Sequence, residues 1–328
     1  MVMATLRSLP IWLHTQECAV ASKPKAPMNL LPSRTKYRVD MAHLEPTYRP
    51  PPLQEIRCEG LAPDLAETAA RELQTHAIAF LGRHPWMSLA GLWRVIVTAD
   101  MHATLHGLRH EWVLPFAGEM PLQHVCADGL VGATHRGLVL VLRAATVRAA
   151  LSRSPERRLH AARVLLHELC HVHDYGRQSA WYPRRPPADP DDACAVHEAH
   201  LFSLCDRMWA EYFANRYSWL PGAPTARDWN LLYGRLVLGG AAAPAAQCSY
   251  GWSEAFGYAL GAQAGCAETG RDEPVPQHIE TGLRQRGLWP VWGQAQRTLA
   301  EMAAGGDCWQ HQRGALRLAP VVEQLMHA

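Results

Sequence analysis

His167, Glu168 and His171, in the run His167-Glu168-Leu169-Cys170-His171, combine residue types and spacing that suit metal chemistry. On a helix, side chains four residues apart share a face, with Cβ atoms about 5–6 Å apart. Two imidazoles placed this way can both reach one Zn²⁺ at about 2.0–2.1 Å. Glu168 is displaced around the axis, so it can approach a water on the metal without becoming a ligand. Zinc lowers the pKa of such a water towards about 7, and a carboxylate can then take its proton. The expected chemistry is hydrolysis at a polarised carbonyl, with Glu168 as general base.

Catalytic zinc normally takes three protein ligands, so two histidines need a partner. Glu211 offers one, in Trp209-Ala210-Glu211-Tyr212-Phe213-Ala214-Asn215. Met208, Tyr212 and Phe213 surround it with apolar bulk, and a carboxylate there is costly to bury unless a cation neutralises it. The other reading of Glu211 is an ordinary pair with Arg207 or Arg216. Glu198, in His197-Glu198-Ala199-His200, lies nearer to His171 and competes for the same role. The two glutamates cannot share one ion, because a continuous helix would hold them roughly 20 Å apart. The same rise removes His197 and His200 from any site built on Glu211. Asp174 stands two turns after His167 and could orient His171 through its other ring nitrogen, or be a plain acid near a helix end. Cys170 reads as a buried, inert thiol. Donors for a developing oxyanion remain open among Tyr212, Tyr217, Tyr250, Tyr258 and His278.

The motif needs a helix, and Ser154-Pro155-Glu156 supplies its start: a cap, a proline at the first helical position and an acid in the first turn. This helix is expected to run to Tyr175 and stop at Gly176. Leu138–Leu142 (LVLVL) precedes it as a strand buried on both faces. Leu92–Thr98 is a second strand, residues 111–116 a weaker one, and 64–81 a helix ending at Gly82. Residues 177–190 carry four prolines and read as a loop at the rim of the cleft. A long helix should follow from Asp191-Asp192 to about Trp219, then helices near 231–238, 252–264, 289–304 and 315–326. The fold class is therefore α+β, a small mixed sheet packed on the motif helix, with a largely helical C-terminal half. Residues 1–53, with Arg49-Pro50-Pro51-Pro52, are expected to form a flexible arm. Residues 54–328 form one domain, with the sheet and motif helix in about 54–176 and the third ligand in a helical part, about 190–328.

Composition narrows the function further. At 48% hydrophobic and 19% charged residues the chain is that of a soluble globular protein. A net charge of +2 without a dense basic run argues against a nucleic-acid partner. No apolar run approaches the roughly 18 residues of a membrane helix. The nine cysteines contain no C-x-x-C pair, which fits reduced thiols and a cytoplasmic protein.

The motif and Glu211-Tyr212-Phe213-Ala214 together resemble the gluzincin branch of the zincin metallopeptidases, over about Gly129 to Trp219. The resemblance implies a zincin-like fold and bound Zn²⁺ held by His167, His171 and Glu211. It further implies a peptide or protein substrate, with Asn215 hydrogen-bonded to a ligating histidine. The chain departs from that pattern in a longer gap between His171 and Glu211, and in Ala210 where asparagine is common. Asp174 and Arg177 occupy the positions that would hold the glycine and third histidine of a metzincin. The alternatives are a non-peptidase zinc amidohydrolase and a catalytically silent zinc- or protein-binding module. Glu168 counts against the silent module, since a structural zinc site has no need of an unligated carboxylate.

Overall fold

A computed structural model describes residues 36–39, 53, 55–108, 110–111, 127–179, 193–221, 226–238, 245–271, 273–306 and 314–327. All belong to one compact unit, Arg34–Ala328. Its N-terminal part holds a five-stranded mixed sheet in the order β1-β2-β3-β5-β4: Lys36–Val39, Ile56–Glu59, Leu92–Thr98, Gly137–Arg143 and Gly129–Thr134. Strands β2, β3 and β5 run parallel, while β1 and β4 pair antiparallel at the two edges. Strand β1 falls within the expected arm. The rest of that arm lies outside the described residues, apart from the buried Leu53.

The central strands are apolar on both sides because both faces of the sheet are covered. Val95, Val97, Leu138, Leu140 and Leu142 join the main core. Ile96, Val139 and Val141 face the other way, onto Met101, Leu105 and Leu108 of α2 (Met101–Leu108). Helices α1 (Pro63–Arg83) and α3 (Ala144–Ala150) both contact α4 (Pro155–Ser179), which also contacts β4 and β5. Ser154 caps α4 as its sequence implies, accepting from the Arg157 amide at 3.4 Å. The helix continues past Gly176 to Ser179. A glycine costs a helix only about 1 kcal/mol relative to alanine, and this one lies close to Gly91 and Leu138.

The C-terminal half is helical: α5 (Ala193–Tyr217), α6 (Ala226–Leu238), α7 (Ala245–Glu268), α8 (Gln277–Gln285) and α9 (Trp289–Gly305). A 3₁₀ turn, Gly314–Leu318, then leads into α10 (Ala319–Met326). The expected loop beyond Ser179 and most of the expected weaker strand after Glu111 lie outside the described residues. Helices α5 and α7 form the most intimate pair. A Cβ at Gly257 would lie 2.5 Å from the Met208 carbonyl oxygen and 2.9 Å from Glu211 Cβ. Gly261 and Gly265, each one turn further along, meet the backbone of Tyr212 and Arg216 just as closely. No helix among the described residues is long and apolar enough to cross a membrane.

Candidate metal centre

Helix α4 presents His167 and His171 on one face, with their Nε2 atoms 3.0 Å apart. Helix α5 brings Glu211 against them, its Oε2 3.3 Å from His167 Nε2 and 3.8 Å from His171 Nε2. Ligand atoms bound tetrahedrally at about 2.05 Å from one ion are about 3.3 Å from each other, so this spacing fits a metal. Among the described residues these three form the one cluster of three or more potential ligands, all buried. Glu198, the competing glutamate, is not part of it.

The donor atoms are chemically prepared for an ion. Burial pushes the His171 imidazolium down to about 3, so its ring is neutral and has a lone pair to offer. Burial alone would raise the Glu211 carboxyl, but Arg207 and the two histidines outweigh it and hold the group well below the usual carboxylate range. Arg207 Nη1 lies 3.0 Å from Glu211 Oε1. Oε2 makes no well-formed hydrogen bond and faces the two imidazoles, a buried acceptor oxygen that a cation would satisfy. Tyrosines flank both rings: Tyr258 stacks on His167 at 5.4 Å and Tyr175 on His171 at 5.6 Å.

Glu168 lies beside this cluster, outside the set of three. Burial pushes its carboxyl up to about 7, an effect that His167 partly counters. A Cβ on Gly129 of β4 would lie 2.6 Å from Glu168 Cγ, so the glycine is what lets strand and carboxylate lie together. A cavity of about 120 Å³ opens beside the donors, bounded by Gly129, Leu130 and Val131 of β4 and by Glu168, Tyr175, Arg207, Glu254 and Tyr258.

The other expected residues have separate partners. Asn215 donates to the Glu211 carbonyl oxygen at 3.1 Å and accepts from Arg163 Nη2 at 3.2 Å. It thus joins α5 to α4 and steadies the backbone at Glu211. Asp174 is fully buried and accepts from Trp209 Nε1 at 3.0 Å, a second tie between the same helices. Cys170 is buried, its thiol pushed well above its ordinary value by desolvation, as an inert core thiol should be. Of the five oxyanion candidates, Tyr258 lines the cavity. Tyr212 bonds Arg216, Tyr217 packs on Trp86, Tyr250 lies under Arg207 and His278 meets Tyr233.

Sequence reasoning missed Tyr175, Glu254, Gly129 and the glycine stripe. Tyr175, four residues after His171, and Gly257-x-x-x-Gly261-x-x-x-Gly265 are visible as helical spacings. Nothing in the sequence marks Glu254 or Gly129. No family model, curated protein or solved structure matches the chain, so the functional reading rests on its own atoms.

Proposed function

We propose that this protein is a zinc-dependent metallohydrolase that cleaves peptide bonds, a reading that also agrees with the gluzincin resemblance. The observation that carries it is Glu168: a nearly buried carboxylate that shares a cavity with three converging donor atoms without being one of them. A purely structural zinc would call for four protein ligands and no such neighbour. Bound zinc supplies Lewis acidity, which acidifies a water and polarises a carbonyl. Glu168 takes the proton from the attacking water and delivers it to the leaving nitrogen. A carboxyl lifted by burial suits that exchange. The Tyr258 hydroxyl donates to the carbonyl oxygen as charge develops there.

Strand β4 favours a peptide over a smaller amide. It is the edge of the sheet among the described residues, and Gly129–Val131 form a wall of the cavity. An extended peptide can add to such an edge through backbone hydrogen bonds, placing its scissile carbonyl beside the histidines.

Metal analysis combined with a peptide-library assay tests the proposal. The expected result is one zinc per chain, lost in His171→Ala, and cleavage of some peptides by the wild type. Equal zinc in both proteins would sink the site. Zinc with turnover only of non-peptide amides would favour an amidohydrolase, and zinc without any turnover a silent binding module. Tyr258→Phe should keep its zinc and lower kcat by about 10²-fold, the usual effect of losing one oxyanion donor. An unchanged kcat would remove Tyr258 from the reaction.

A further inference from the structure

Glu211 meets a second cation besides the site it faces. Arg207 stands one turn earlier on α5, and its Nη1 lies 3.0 Å from Glu211 Oε1. Its Nη2 is 2.7 Å from Oε1 of Glu254, which comes from α7. The ring of Tyr250 lies 5.3 Å from the guanidinium carbon. The guanidinium is therefore fixed between carboxylates on two helices, and both it and Glu254 border the cavity. Burial opposes the charge on Arg207, while Glu211 and Glu254 together hold it firmly protonated.

We propose that Arg207, clamped by Glu254, is the positioning residue of the metal site, occupying Oε1 of Glu211 so that only Oε2 is offered to the ion. This rests on the metal site proposed above. A carboxylate can bind a metal through one oxygen or both, and nothing in a free glutamate chooses. Here a charge-assisted N–H···O bond occupies one oxygen and fixes the plane of the group. The planar fork of arginine can hold Glu211 and Glu254 at once, which the single ammonium of a lysine cannot do as well. The guanidinium also draws charge away from the carboxylate. Glu211 is then a weaker donor, and the ion it helps to hold is more electron-poor and a stronger Lewis acid. In the metal-free protein the same guanidinium neutralises Glu211, which would otherwise be an unpaired buried charge.

The test uses the full chain loaded with one equivalent of Co²⁺, whose visible absorption reports coordination number. The wild type should show the intense band of a four-coordinate ion. In Arg207→Met, Oε1 is free to become a further ligand, so the band should weaken by roughly twofold or more at unchanged cobalt content. Glu254→Ala leaves Arg207 in place without its anchor and should move the spectrum in the same direction. That variant decides the matter if Arg207→Met does not fold. A cobalt-loaded variant with the wild-type spectrum overturns the clamp and leaves the metal site intact. A wild-type chain that takes up no cobalt overturns both.

Discussion

Glu168→Gln should retain one zinc per chain and hydrolyse its substrate at least about 10³-fold more slowly, because proton transfer and water activation fail together. The amide is nearly isosteric, so His167, His171 and Glu211 need not move. Turnover at the wild-type rate would rule out the general-base role. The same substitution has a second, independent consequence in metal-free protein. Burial lifts the Glu168 carboxyl from an ordinary value of 4.5 to about 7. Between those values the folded state binds a proton that the unfolded state has released, so folding stability falls as pH rises through that window. Above pH 7 the full cost applies, up to about 3 kcal/mol, and below pH 4.5 it is absent. Glutamine has no charge to desolvate. The chelated variant should therefore be more stable than the chelated wild type at pH 8, with the difference shrinking as the pH is lowered towards 5. Equal denaturation midpoints at pH 8 would show that the carboxyl is better solvated than its surroundings imply.

Gly257→Leu should destabilise the fold by about 3 kcal/mol and abolish zinc binding, although residue 257 touches no metal. Its Cβ would lie 2.5 Å from a backbone oxygen of α5, so the helices must part. That oxygen belongs to Met208, and the next nearest atom is Cβ of Glu211 itself. Metal–ligand distances tolerate only about 0.2 Å, far less than the shift a leucine demands. Gly257→Ala should give a smaller loss of affinity in chelator competition, with the fold retained. Gly234→Ala is the control: it lies on α6 with nothing within 4 Å of its Cβ, so it should leave zinc affinity unchanged and raise the stability of the fold by up to about 1 kcal/mol. Zinc affinity at the wild-type level in Gly257→Leu would show that α7 does not set the position of the third ligand.

The parts of this molecule that were legible in the sequence are those that a short stretch of chain decides for itself. Ser154-Pro155-Glu156 starts a helix by local hydrogen bonding, and a spacing of four puts His167 and His171 on one of its faces. Leu138–Leu142 is apolar throughout because both faces of β5 are covered, and Glu211 stood out as a carboxylate among large apolar neighbours. What stayed hidden depends on pairing at a distance. Strand β4, with the sequence GLVGAT, is poor in strand formers, and it exists because it pairs with β5. Its small residues, unfavourable for a strand, are what let Glu168 pack against Gly129. Glu254 acquires its role only once the glycines of α7 have brought that helix onto α5. Gly176 reads as a helix stop, and its packing against Gly91 and Leu138 lets α4 continue.

His171 and Glu211 stand on different helices, with about forty residues of chain between them. An ion gripping both closes that stretch into a ring. Ring closure removes conformations from the unfolded chain and leaves the folded one unchanged; for a ring of this size the entropic advantage is about 4 kcal/mol in the chain-entropy picture used for disulfides. The ion would then act as a reversible crosslink as well as a reagent. After a single break in the chain between Ser179 and Ala193, the ion would add to the Asp174–Trp209 and Arg163–Asn215 hydrogen bonds and the shared core in holding the two halves together, and removing it would weaken that join without any covalent change.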